Sequence, residues 1–247
     1  MAEILLAAQG VGVRFGDFRA LSEVTLEVAS GSMHSVIGPN GAGKTTLFNV
    51  LTGRLAPSEG RVVLGGRDVT RLPAHRRVHL GMARSFQVTN IFPELTVAEN
   101  IRLAVQAVSG REPWVFWREA SPNEARIRAL LDEVGLAERS AWRAGDLSHG
   151  GQRALEIGMA IAADPRIIFL DEPLAGMGID DVHRTKELIR GLAPARTVVL
   201  IEHNMRVVLD ISERITVLAQ GRPIADGPPA VIRSDAAVRD AYLGSGT

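Results

Sequence analysis

One segment constrains the fold of this 247-residue chain more than any other: Gly38-Pro-Asn-Gly-Ala-Gly-Lys-Thr45, set between a β-branched run and a helical pattern. It fits G-x-x-x-x-G-K-[ST], in the strand–loop–helix setting that gives the pattern its meaning. Gly41 and Gly43 permit backbone angles that turn successive N–H groups inward as an anion nest. The helix start behind them adds its dipole. Lys44 offers a point charge to the β and γ phosphates, and the Thr45 hydroxyl offers a ligand for Mg²⁺. A plain glycine turn would demand neither. The expectation is a nucleoside-triphosphate site built from Gly38, Pro39, Asn40, Gly41, Ala42, Gly43, Lys44, Thr45 and Thr46.

A second segment points to hydrolysis of the bound nucleotide. Ile167-Ile-Phe-Leu-Asp171-Glu172 reads as a buried strand ending in two adjacent carboxylates. Neighbours in a strand point to opposite faces, so the two acids have different tasks. Asp171 is expected to hold the Mg²⁺ shell, and Glu172 to orient or deprotonate the attacking water.

The rest of the chain alternates short β-branched runs with helical patterns, the signature of an α/β sheet. Strands are expected at Val11–Phe15, Val24–Val28, Met33–Ile37, Arg61–Leu64, Met82–Phe86, Arg166–Leu170, Thr197–Ile201 and Arg214–Leu218. Helices are expected from about Thr45 to Gly53, from Ser148 to about Ala163, and in short pieces from Pro228 to Leu243. Between Val88 and Arg143 the texture is helical, with capping boxes at Thr96-Val-Ala-Glu99 and Ser121-Pro-Asn-Glu124. Trp114 and Trp117 lie in the loop between those helices and read as local core. Both ends of the chain thus build one sheet-based core, and a helical subdomain interrupts it.

Composition removes several classes. Lys+Arg and Asp+Glu each number 28, which argues against a nucleic-acid carpet or a polybasic anchor. There is no cysteine, hence no disulfide, zinc ribbon or thiol nucleophile. No apolar run approaches the ~18 residues that span a bilayer, and the N-terminus lacks a secretion signal. The chain reads as soluble and cytosolic.

Taken together, these residues resemble the ATP-binding-cassette ATPases, the engines of ABC transporters. Leu147-Ser-His-Gly-Gly151 looks like that family's signature sequence, and physically it is a helix start capped by Ser148. The resemblance implies that Ser148 and the amide of Gly150 grip the γ-phosphate held by a second subunit. Gln87, in Ala-Arg-Ser-Phe-Gln, resembles the glutamine that contacts the metal and links the core to the helical insert. His203, in Glu-His-Asn-Met, matches the switch histidine at the γ-phosphate, and Phe15 the aromatic that stacks on adenine. Alone, Phe15 would read as a core residue and His203 as a satisfied loop residue; their order around Lys44 and Asp171 gives them these roles. His149 and Gly151 depart from the usual signature, and Gly178 stands where an aspartate is usual.

The resemblance implies an α/β fold: a P-loop NTPase (RecA-like) core with an antiparallel β subdomain and an inserted α-helical subdomain. One cassette domain is expected over residues 1–247, its core in 1–87 and 145–247 and its helical subdomain in 88–144. The implied ligands are ATP and Mg²⁺. Arg-Ser-Phe-Gln, Leu-Thr-Val-Ala-Glu-Asn, Glu-Pro-Leu-Ala-Gly-Met and the ending Val-Arg-Asp-Ala-Tyr-Leu-Gly look like the importer branch for branched-chain amino acids. The implied partners are a second ATPase subunit, identical or paralogous, transmembrane permease subunits and, indirectly, a substrate-binding protein; no nucleic acid is implied. Ile91 and Phe92 are expected either at the permease contact or in the subdomain core. The implied location is cytoplasmic, peripheral on the inner face of the cell membrane. A urea or amide importer, a lipopolysaccharide exporter, a stand-alone cassette ATPase and a P-loop kinase or GTPase are the other readings.

Overall fold

The computed structural model describes residues 3–85, 91–109 and 123–243. Two sheets organise it. The first is antiparallel, in the order β2 (Phe18–Ala29), β1 (Ile4–Phe15), β4 (Glu59–Leu64), β5 (Arg67–Asp68). The second has six strands in the order β10 (Arg222–Gly227), β9 (Arg214–Ala219), β3 (Met33–Ile37), β8 (Thr197–Ile201), β7 (Ile167–Asp171), β6 (Met82–Arg84). From β9 to β6 every pairing is parallel, and at the edge β10 meets β9 antiparallel. Both β1 and β2 are longer than the sequence pattern implied, and β10 was not anticipated, because its half-exposed residues lack an apolar run.

Strands β3, β7 and β8 are buried along their whole length, as parallel strands covered on both faces must be. The period of two then divides them between two cores. Ile167 and Phe169 of β7, with Val199 and Ile201 of β8, face α1 (Lys44–Leu51) and the antiparallel sheet. Ile168, Leu170, Val198 and Leu200 face the opposite way, toward a helical layer. That layer contains α3 (Val97–Ser109), α4 (Asn123–Glu133), α5 (His149–Ile161) and α6 (Ile179–Leu192). A third cluster joins Val208 of α7 (Met205–Ile211), Ile232 of α8 (Pro229–Ser234) and Val238 of α9 (Ala236–Leu243) to β9. The fold is therefore the expected P-loop core with an antiparallel β layer and a helical layer, and the short α2 (Ala74–Val78) lies beside α1.

The first capping box is present: the Thr96 N–H donates to Glu99 Oε2 at 2.7 Å and the Glu99 N–H to Thr96 Oγ1 at 3.2 Å. Of the second, Glu124 pairs with Arg102 of α3 at 2.8 Å, while Ser121 lies outside the described residues, as do Trp114, Trp117 and Gln87. Ile91 packs on the helical core and Phe92 is half exposed.

Arg77 of α2 is fully buried and holds the far end of α1. Its Nη1 donates to the carbonyls of Leu51 (2.6 Å) and of Val50 (3.0 Å), which also accepts the Gly53 N–H (3.1 Å), in the last turn where i+4 donors run out. The charge also opposes the negative end of the helix dipole.

Candidate nucleotide-binding and hydrolysis site

In a parallel sheet the chain leaves every strand at the same end, and ligands collect there. Four strands deliver residues to that end: β3 the loop Gly38–Thr45, β6 Arg84, β7 Asp171 and Glu172, and β8 Glu202 and His203.

The loop after β3 can take its shape only with glycine at two crowded positions. At Gly38 (φ +154°) a Cβ would lie 2.2 Å from the Leu218 carbonyl oxygen of β9. At Gly43 (φ +96°), the N-cap of α1, it would lie 2.7 Å from Leu21 Cδ2. The loop is fastened from outside as well, since the Gly221 N–H, in the β9–β10 turn, donates to the Ala42 carbonyl at 3.1 Å. Lys44 is buried, and its Nζ donates to the carbonyls of Gly38 (2.7 Å) and Pro39 (3.0 Å). Burial lowers the Lys44 ammonium from its usual range, opposed by the carboxylates of Glu172 and Asp171. Those three charges therefore share one neighbourhood. Thr45 and Asn40 are exposed, and Pro39 and Thr46 partly so, at the mouth of the loop.

Asp171, the last residue of β7, is buried and ion-paired with Arg84 Nη2 through Oδ2 at 3.0 Å. Arg84 opens the Arg-Ser-Phe-Gln segment, but nothing in that segment points to Asp171 as its partner. Its other terminal nitrogen donates to Asn49 Oδ1 (2.8 Å) and Thr52 Oγ1 (3.1 Å), and its guanidinium lies over the Phe48 ring. Arg153 of α5 donates to the Asp171 carbonyl at 2.7 Å and pairs with Glu156 at 2.5 Å. The signature helix is thereby tied to the carboxylate strand.

Glu172 has φ +45°, a left-handed backbone that costs a non-glycine residue about 1 kcal/mol. Such strain concentrates at functional positions. The turn swings its carboxylate out of the sheet, and Oε1 comes 3.9 Å from His203 Nδ1. Half of the Phe15 surface is exposed (52%), so it is no core residue; Phe18, its cross-strand partner, is exposed beside it.

Ser148 is the N-cap of α5 and accepts from the Gly151 N–H at 3.2 Å. Ser148 and Gly150 bond to Asp181, in the first turn of α6: Oγ lies 3.3 Å from Oδ1, and the Gly150 N–H donates to Oδ2 at 3.3 Å. Gly178 is the N-cap of α6 and brings no capping side chain.

This geometry agrees with what the chain is similar to. Residues 21–175 match the family model for ABC transporters, and residues 222–247 that for branched-chain amino acid ATP-binding cassette transporters. The high-affinity branched-chain amino acid transport ATP-binding protein LivG of Salmonella typhimurium is 40% identical, over 99% of both chains. BraF of Pseudomonas aeruginosa, which carries the same description, is 39% identical, again over 99% of both. Among solved structures, the ADP conformation of MJ1267, an ATP-binding cassette of an ABC transporter, superposes with a TM-score of 0.86 at 32% identity. It covers 98% of this chain and 100% of its own. A strand-end carboxylate pair and a glycine–lysine loop at one end of the sheet, within full-length kinship to transporter cassettes, make this chain a member of the ABC transporter ATPase family.

Proposed function

We propose that this ATPase powers a membrane importer of branched-chain or other hydrophobic amino acids, from the inner face of the cell membrane. The observation that carries the reading is the match of residues 222–247, outside the general cassette match, to the branched-chain model. The proposed partners are a second cassette, identical or paralogous, permease subunits and, through them, a substrate-binding protein. Among the described residues no helix is long and apolar enough to cross a membrane, and the proposed pathway for the solute lies in the permease subunits. The proposed division is a core in residues 1–87 and 145–247 and a helical subdomain in 88–144, through which Gln87 and Phe92 pass motion to the permease.

In the proposed chemistry, the loop amides and Lys44 hold the β and γ phosphates of ATP. Phe15 stacks on the adenine. The Glu172 carboxylate accepts a proton from a water whose oxygen attacks the γ-phosphorus. The bond to the β–γ bridging oxygen breaks, releasing ADP and phosphate. His203 donates a hydrogen bond to the γ-phosphate, and Ser148 and Gly150 present the same service to the nucleotide of the other cassette. The donor set suits a hard cation, because Asp171, Thr45 and Gln87 all offer oxygen. Mg²⁺, when bound there, would neutralise phosphate charge.

Copurification from membranes, with partners identified by mass spectrometry, then reconstitution in liposomes, tests the reading. Hydrolysis is expected to rise when the partner binding protein is loaded with leucine, isoleucine or valine. Stimulation by urea or short amides alone, or copurification with lipopolysaccharide-export components, would overturn it.

A further inference from the structure

Glu202 is a buried carboxylate, 1% exposed, that the proposed chemistry leaves without a task. It comes just after β8 and directly precedes His203. Its two oxygens are divided between two loops. Oε1 accepts the Leu174 N–H at 3.2 Å, two residues after Glu172. Oε2 accepts the His203 N–H at 3.2 Å, and the Asn204 backbone is a further donor. Burying a carboxylate is costly unless it is hydrogen-bonded, and here the bonds are spent on linking these loops.

The link leaves His203 little freedom. Only His203 and Asn204 separate Glu202 from α7, and the Asn204 side chain caps that helix by accepting from the N–H groups of Arg206 (3.2 Å) and Val207 (3.4 Å). The His203 imidazole then projects outward, with Nδ1 3.9 Å from Glu202 Oε2 and equally far from Glu172 Oε1. The backbone on the other side is held too, because the Glu172 N–H donates to the Ile201 carbonyl at 3.0 Å.

We propose that Glu202 is a positioning residue for hydrolysis, clamping the backbone of His203 to that of Leu174 so that the histidine and the loop carrying Glu172 move as one unit. This rests on the roles proposed for His203 and Glu172. A glutamine at 202 has one acceptor oxygen, and its NH₂ group would face an N–H donor. One loop is then released while the volume is kept.

The test measures ATPase kcat and KM in the full transporter complex for Glu202→Gln, Glu202→Asp, His203→Ala and the double variant Glu202→Gln/His203→Ala. Glu202→Gln is expected to lower kcat about tenfold, the scale of one charge-assisted hydrogen bond, and to leave KM for ATP within about twofold. The double variant is expected to be no slower than His203→Ala, since both act through one unit. If Glu202→Gln does not fold, Glu202→Asp carries the same comparison, and hydrogen exchange at the Leu174 and His203 amides is expected to quicken in it. Normal kcat in Glu202→Gln, or losses that multiply in the double variant, would overturn the clamp. Full activity in His203→Ala would instead overturn the role of His203 on which the clamp depends.

Discussion

Each acid at the end of β7 has a different setting, and the division of labour proposed for them rests on that. Asp171 stays in line with the strand, buried and held by Arg84, so it can present a fixed oxygen. Glu172 leaves the strand through a left-handed turn and stands partly in solvent, where a carboxylate can meet water. Glu172→Gln keeps the shape and removes the base. It is expected to bind ATP as the parent does and to hydrolyse it roughly 10²-fold more slowly, measured by equilibrium binding beside steady-state turnover. Retained turnover would take the base role away from Glu172. Strand alternation predicts that the two acids part, but Glu172 lies one residue past β7, and a left-handed turn rather than the pleat separates them. The partner of Asp171 was not legible, because Arg84 lies 87 positions away and reaches it only through the β6–β7 pairing.

The elements owe their ends to a few polar groups, and α1 shows how much depends on one. It has eight residues, short for a helix that carries a nucleotide loop. Arg77 supplies what the sequence of α1 lacks, a cation at its C-terminus, although burial lowers the guanidinium to about 10. Arg77→Met keeps most of the stem and strands the carbonyls of Leu51 and Leu72, while Val50 keeps the Gly53 N–H. Chemical denaturation is expected to show a loss of about 3 kcal/mol, from buried acceptors left without donors. An unchanged midpoint would mean that water replaces the guanidinium freely. The Thr96–Glu99 box could be read directly, since its members are three residues apart. The Arg77 cap could not, since its acceptors lie 26 and 27 positions back along the chain.

At the scale of the whole molecule, acid sensitivity should centre on His34 of β3. Its ring is buried, with Nε2 2.8 Å from Thr216 Oγ1, and Thr216 donates in turn to Asp226 at 2.5 Å. Burial lowers its pKa to about 4, with Asp226 opposing and Arg214 assisting. Between that value and the ~6.5 of a free imidazole, the unfolded chain holds a proton that the folded chain refuses. Stability is therefore complete above about pH 6.5 and falls as pH drops toward 4, by up to about 3 kcal/mol at ~1.4 kcal/mol per unit. Unfolding curves of the parent and of His34→Gln, taken at about pH 7 and about pH 4.5, should differ in their pH dependence by most of that amount; parallel curves would clear His34. By itself the sequence determined what near neighbours decide. The glycine angles of the phosphate loop, the opposed faces of β7 and β8 and the capped helix starts all arise from steric and hydrogen-bonding rules within a few residues, and the order of motifs along the chain carried the family resemblance. Only the tertiary structure decided which distant groups meet: Arg84 with Asp171, Glu202 with Leu174, the Gly38 backbone with Leu218. Those meetings depend on the order of strands in the sheet, which no local preference encodes, because it is fixed by the burial of all the layers at once.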